Sequence, residues 1–267
     1  MSKIGAIKLL LSKPLTVIKS GIIAQHEKRH DAQNSTQHGI RRLPTIDILD
    51  LIPNMEEEIV NYSFLPGTSL ITDIILLKSL AKKFENCEYL EIGSFRGESL
   101  FNVASVAKHC TSLTLSKEEM KAMNFNEGNI KAHGLFSKEI KNLTSFYQNS
   151  HTFDFSKFEK KFDLIFIDGD HTYEGVKNDT SKTFDLRKDE NSIIVWHDYS
   201  FNTENVRASV LHGILDGIPK DKHKNLYHIS NTMCAVYMEN VNYSTKLLKD
   251  NVQPDKTFNI NLSAKRI

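Results

Sequence analysis

Cysteine is scarce in this 267-residue chain: Cys87, Cys110 and Cys234 lie far apart and never at C-x-x-C spacing. Three scattered thiols build no disulfide framework, thiolate zinc site or redox pair, and reduced thiols in a cytoplasmic protein are the simplest reading. Excess charge is also lacking. The formal net charge of +1 argues against a protein that holds nucleic acid by broad electrostatics. Long apolar runs are missing too: the opening MSKIGAIKLLLSKPLTVIKSGII is broken by Lys8, Lys13 and Lys19 and carries no small-residue cleavage site. It reads as neither a signal peptide nor a membrane span. No internal repeat or low-complexity tract is present.

What is there suits one large core with a small appendage, since 40% of residues are hydrophobic and 25% charged. Charge is unevenly spread. Residues 1–42 hold eight Lys and Arg against Glu27 and Asp31, a net +6 that leaves −5 for the remainder. This basic start reads as an amphipathic helix pair broken at Pro14, lying through residues 1–28 on a membrane surface or a partner, or packing on the main domain. The polar HEKRHDAQNSTQHGIRR, 26–42, reads as a loop or linker. Residues 1–50 are thus expected to be a helical extension and linker, and 51–267 the main domain. Within the latter a short helix and loops lead to a helix starting at Ser69–Thr72, because Ile74, Leu77, Ala81 and Phe84 recur at helical spacing.

From Glu88 short apolar runs alternate with amphipathic helices, the pattern of a parallel sheet covered on both faces. The strand candidates are EYLEIG, SLTLS, LTSFY, FDLIFID, SIIVWHD, LYHIS and MCAVYM, the last two separated by a turn-like NT that predicts a closing antiparallel hairpin. YLEIGSFRGES places Glu91, Gly93, Ser94 and Gly97 at a strand-to-helix turn, where glycines permit a tight turn and close approach of a ligand to the backbone. The spacing differs from the dinucleotide fingerprint G-x-G-x-x-G. Asp168 ends one strand and His197 and Asp198 end the next. In a doubly wound sheet these ends open into one crevice, where two carboxylates and an imidazole are costly unless a cation or substrate balances them.

Taken together, YLEIGSFRGES, KFDLIFIDGDHTYEGVKND and SIIVWHDYS resemble the class I S-adenosylmethionine-dependent methyltransferases, in the small bacterial branch with D-G-D-H after the fourth strand. The resemblance covers about residues 66–240 and leaves 1–50 outside. It implies an α/β fold: a Rossmann-like, doubly wound, seven-stranded sheet, mostly parallel with its last strand antiparallel. It places the turn of Glu91, Gly93, Ser94 and Gly97 against the methionine part of the cofactor, with Asp168 also at the cofactor. An acidic ribose ligand is usual at the end of the second strand. Here that strand ends in Thr114 or Ser116 and the acids Glu118 and Glu119 follow; Glu118 is the expected ribose contact. Ser150 and His151 match the adenine position, although Asn149, Ser150 and Thr152 are also ordinary turn formers. Related O-methyltransferases hold a divalent ion at positions matching Asp168, His197 and Asp198. Mg²⁺ favours oxygen and imidazole favours Mn²⁺, Fe²⁺ or Zn²⁺, so the ion's identity is open.

The resemblance implies metal-assisted O-methylation of a hydroxyl on a sugar, glycan precursor or related small molecule. Asp168, His171 and His197 are the candidate catalytic residues, one of the histidines taking the acceptor's proton. Asp170 competes for a structural task as the cap of the next helix. Trp196 reads as core or pocket wall, and Tyr173 and Tyr199 are candidates for the acceptor pocket. The other histidines show no metal-ligand spacing. Expected partners are the acceptor and no nucleic acid, with peripheral membrane contact and self-association left open. Two other readings stand beside this one: a metal-dependent hydrolase using Asp168, His197 and Asp198, and a non-catalytic binding protein that keeps the fold, favoured by the missing strand-two carboxylate.

Overall fold

A computed structural model describes Ser12, residues 14–248 and residues 252–266. Among these residues nine strands form one sheet: β1 (Thr45–Ile46), β2 (Glu88–Ile92), β3 (His109–Thr114), β4 (Leu143–Tyr147), β5 (Leu164–Ile167), β6 (Ile193–Trp196), β7 (Leu226–Ile229), β8 (Ala235–Tyr237) and β9 (Thr245–Lys246), in the order β4-β3-β2-β5-β6-β8-β7-β1-β9. The helices are α1 (Pro14–Gln33), α2 (Ile48–Leu51), α3 (Ile71–Ala81), α4 (Glu98–Ala104), α5 (Lys117–Ala122), α6 (Glu127–Ala132), α7 (Tyr173–Phe184) and α8 (Ala208–Gly217).

All seven expected strands form. β4, β3, β2, β5 and β6 run parallel, and β8 enters between β6 and β7 antiparallel to both. Every residue of LIFI in β5 and IIVW in β6 is buried, as a strand covered on both faces requires. On one face Val176 and Phe184 of α7 and Val210, Leu211, Ile214 and Leu215 of α8 pack on the sheet; on the other, Leu76, Leu77 and Leu80 of α3 and Leu100 and Val103 of α4 do so. The crossovers bring the carboxyl ends of β2, β3, β5 and β6 to one side, where the crevice lies.

The sheet has two strands more than the seven expected. β1 pairs parallel with β7, and β9 antiparallel with β1. Two-residue strands show no alternation from which to read them. Leu43, Ile46 and Ile48 are buried in the core, so the chain joins the sheet before residue 50.

The loop expected over 26–42 is instead the second half of α1 followed by a π-helical turn, Asn34–His38, closed by Gly39 at φ 70°. Polar residues fold here because they dock through hydrogen bonds and not through an apolar stripe. Glu27 accepts from the backbone N–H (3.2 Å) and hydroxyl (2.6 Å) of Ser209 at the start of α8, where a carboxylate also meets the positive end of the helix dipole. The Asn34 amide donates to the Ala208 carbonyl at 2.9 Å. The described part of α1 runs from Pro14. The helix expected before it lies outside the described residues.

The β1–β7 edge has a built-in acid sensitivity. His228 is buried, its Nε2–H donating to the Thr232 carbonyl (3.1 Å) and its Nδ1 accepting from the Thr45 hydroxyl (3.2 Å). Burial holds the ring neutral, its pKa lowered from 6.5 to about 4. The unfolded chain therefore takes up this proton first, and stability falls as the pH drops from 6.5 towards 4, by on the order of 3 kcal/mol for this group. Denaturant titrations at several pH values are expected to show a smaller loss over that window for His228→Gln than for the wild type. Equal losses would contradict the assignment.

Candidate active site

Asp168 follows β5, and His197 and Asp198 follow β6, so adjacent parallel strands deliver them to one point. His197 Nδ1 lies 3.0 Å from Asp168 Oδ1 and 3.8 Å from Asp198 Oδ1. One potential ligand atom from each of the three lies within 4.8 Å of the others. The other ring nitrogen, Nε2, lies 3.1 Å from Asp73 Oδ2. Asp73 sits fully buried in the first turn of α3, where it also accepts from the backbone N–H groups of Leu70 (2.8 Å) and Met233 (2.9 Å). Asp73 was not legible in the sequence: it is 124 positions from His197, and its local signature is that of a helix-capping acid.

Burial alone would lower the pKa of His197, but the charge and hydrogen bond of Asp168, joined by those of Asp73, raise it well above the ordinary value. Without a bound cation the ring is an imidazolium and a poor base. His197 Nδ1 is nonetheless buried with no well-directed hydrogen bond, because the nearby carboxylate lies off the N–H axis. Asp198 adopts a left-handed backbone, φ 56°, a conformation aspartate tolerates better than most residues, and Arg207 Nη1 lies 3.4 Å from its Oδ2. His171 is exposed on the loop between β5 and α7. Asp170 does not cap α7 itself. Thr172 does so, accepting from Gly175 N, while Asp170 accepts from the Thr172 backbone N–H (3.0 Å) and hydroxyl (2.8 Å).

The glycine turn after β2 is placed as expected, but its close neighbours are the chain's own. Gly93 has φ 94°, and a Cβ there would come within 2.2 Å of the Asp168 carbonyl oxygen and 2.6 Å of Gly169 Cα. Gly97, φ 87°, makes room in the same way for Ser137, whose Oγ would be 2.2 Å from an added Cβ. Glu91 is buried beneath the turn, accepting from the Tyr89 hydroxyl (2.6 Å) and the Ser99 hydroxyl (3.0 Å). Burial pushes its pKa up to about 7 against these two hydrogen bonds. Its carboxylate braces the turn from below. Ser94 is buried within the turn.

At the ends of β3 and β4 lies a groove of about 420 Å³, lined among others by Ser116, Glu118, His133, Ser145 and Tyr147. Glu118 is exposed there, whereas Glu119 is occupied, accepting from Ser116 (2.9 Å) and from the Asn149 backbone N–H (3.0 Å). Ser150 and His151 are not among its lining residues; their carbonyls accept from Lys182 Nζ at 2.9 and 3.0 Å. His133 is buried at the groove with neither ring nitrogen in a well-formed hydrogen bond. Of the aromatic candidates, Trp196 is core, donating to the Thr180 hydroxyl at 2.8 Å. Tyr199 is core too, its hydroxyl accepting from Leu43 N. Tyr173 lies against His30 and His212 and donates to Asp216, with no contact to the crevice cluster.

Residues 90–199, which hold both the glycine turn and the carboxylate-histidine cluster, match the model of a family described as a methyltransferase domain. The match makes this segment, less than half of the chain, a methyltransferase domain. The chain is similar to CalS10, an amino pentose methyltransferase from Micromonospora echinaspora solved with S-adenosylmethionine (14% identity, 47% of each chain covered, TM-score 0.33). It is also similar to an O-methyltransferase from Bacillus cereus solved with S-adenosylhomocysteine (17% identity, 56% of this chain and 62% of that one, TM-score 0.36). A third is TomG, an O-methyltransferase of tomaymycin synthesis from Streptomyces achromogenes (12% identity, 65% and 82%, TM-score 0.44). The match thus spans 47% and 62% of the first two structures' lengths. No curated protein matches the chain.

The Gly93 turn locks the loop after β2 to the loop that begins at Asp168. Gly93→Ala combines a left-handed backbone with a clash against main chain and is expected to cost at least about 3 kcal/mol. Gly39→Ala, at φ 70° with no atom within 4 Å, serves as the control and is expected to cost about 1 kcal/mol. Urea denaturation of the two variants checks the contrast, and similar costs would contradict it.

Proposed function

We propose that the protein methylates a hydroxyl on a polyhydroxylated small molecule such as a sugar or glycan precursor, with a divalent cation in the crevice. The observation that carries this reading is the cluster itself: His197 Nδ1 faces Asp168 and Asp198, with ligand atoms of all three within 4.8 Å, while Asp73 holds Nε2 from behind. A carboxylate behind an imidazole fixes the ring's orientation and raises its basicity as a ligand. One nitrogen with two carboxylates suits Mn²⁺, Fe²⁺ or Zn²⁺ at least as well as Mg²⁺. A cation held by Asp168, His197 and Asp198 would acidify an acceptor hydroxyl and fix its position.

S-adenosylmethionine, when bound, supplies a methyl group already activated on a sulfonium, so the protein's work is alignment and removal of a proton. The groove suits the nucleoside part: Glu118 offers acceptors for ribose hydroxyls, and Tyr147, 61% exposed, offers a ring face. His171, exposed on the loop that follows Asp168, is our candidate to take the acceptor's proton, since Asp73 and the proposed cation would occupy both nitrogens of His197. A separate cavity of about 370 Å³, lined by Thr45, Asp47, Asp50, Ser230 and Asn231 among others, lies at the β1–β9 side of the sheet and has none of the crevice cluster in its lining. It borders the loop that Thr72 and Asp73 hold through Asn231 O (2.7 Å) and Met233 N (2.9 Å). A hydrolase built on the same cluster would leave the groove at β3 and β4 without a task.

Calorimetry with S-adenosylmethionine and S-adenosylhomocysteine, with and without Mn²⁺ or Mg²⁺, tests the reading. Cofactor binding with one divalent ion per chain at the crevice is expected, and Asp73→Asn should weaken the ion's binding by about 10- to 100-fold without touching cofactor or ion itself. No cofactor binding under any condition would leave the non-catalytic reading in its place.

The exposed face of α1 supports contact with an anionic membrane surface. Leu15, Ile18, Ile22 and Ile23 are 53–73% exposed, and Lys19 and Lys28 are exposed on the same helix. No described helix is long and apolar enough to cross a membrane. Sedimentation with phosphatidylserine vesicles is expected to carry the wild type down and to lose the Ile18→Glu, Ile22→Glu variant; equal partitioning would remove this role.

A further inference from the structure

The docking of α1 on α8 brings together histidines from opposite ends of the chain. His38, in the π-helical turn, places Nε2 at 3.0 Å from Asp216 Oδ1, and His212 Nε2 lies 3.9 Å from Asp216 Oδ2. The three ligand atoms lie within 4.8 Å of one another, and the cluster shares no residue with that of the crevice. His212 and Asp216 are one turn apart on α8, so they share a face, and π-helical turns are frequent where a side chain must be aimed at a site.

We propose that His38, His212 and Asp216 form a second metal site, binding a zinc-class divalent ion that clamps α1 and its π-helical turn to α8. The donor set of two imidazoles and one carboxylate is one that Zn²⁺ accepts, with a fourth position left for water or for Gln37, whose Oε1 is 3.3 Å from His212 Nε2. The tautomers agree. With the lone pair of His212 Nε2 turned to the ion, its Nδ1–H donates to His30 Nδ1 at 2.7 Å, and His30 Nε2–H then donates to His26 Nε2 at 3.2 Å. This chain gives the ligand the outward hydrogen bond that metal-bound histidines usually make. Asp216 Oδ2 is steadied by the Tyr173 hydroxyl (2.6 Å) and Lys177 Nζ (3.2 Å), leaving Oδ1 for the ion. The Lys177 ammonium opposes a nearby cation, but its side chain is 42% exposed and can turn to solvent. The His38 ring is held by its Nε2 contact with Asp216 Oδ1, the same pair of atoms that an ion between them would bind.

Zinc titration of the full chain, followed by side-chain ¹⁵N resonances of the histidines, tests the assignment on the wild-type protein. Shifts of His38 and His212 saturating at one equivalent are expected, and they should persist in Asp168→Asn, which removes a ligand of the crevice site. Co²⁺ should give ligand-field bands that Asp216→Asn and His38→Gln lose, each checked for folding by circular dichroism. Resonance shifts confined to His197, or Co²⁺ spectra unchanged in both variants, would overturn the proposal.

Discussion

The imidazole of His197, buried between Asp73 and Asp168, is the contact on which the arrangement of the crevice depends. It joins four parts of the fold: the first turn of α3, the ends of β5 and β6, and the loop before β8 that donates Met233 N–H to the same Asp73. A charged ring buried alone would be costly; two carboxylates make it stable and at the same time fix which nitrogen faces the crevice. The glycine turn depends on this arrangement as well, because Gly93 rests against the main chain of Asp168 and Gly169. The glycine turn and the candidate metal cluster are therefore mechanically one piece.

Much of this was legible in the sequence because buried parallel strands leave short apolar runs with chemistry at their ends. LIFI before Asp168 and IIVW before His197 and Asp198 are such runs, and the structure brings those three side chains together. Gly93 was legible as a residue of a tight turn open to close approach, but not the neighbour that approaches it, which is main chain following another strand. Asp73 and Arg207 left no signal, since each meets the cluster only through the tertiary fold. Ser150 and His151 match an adenine-contact position by order in the chain; their carbonyls accept from Lys182, and they lie outside the lining of the groove beside Glu118 and His133.

The N-terminal region shows the same limit from the other side. A search for apolar periodicity finds nothing in HEKRHDAQNSTQH, although this stretch folds, because its stability comes from polar groups satisfied across a helix pair. Glu27 at the start of α8, Asn34 on the Ala208 carbonyl and the row of His26, His30 and His212 replace the missing apolar stripe. The inner half of α1 is thereby spent on docking, while its outer half keeps Leu15, Ile18, Ile22 and Ile23 exposed. One helix thus serves two surfaces, and its polar half fixes the direction in which its apolar half points.

The central claim is that a divalent ion held by Asp168, His197 and Asp198 lies beside the cofactor, so that one crevice serves both. Paramagnetic relaxation of bound S-adenosylhomocysteine by Mn²⁺ measures that proximity directly. Strong, saturable enhancement of the cofactor's proton relaxation is predicted, abolished in Asp168→Asn and retained in His38→Gln. Cofactor that binds with relaxation rates indifferent to Mn²⁺ would contradict it.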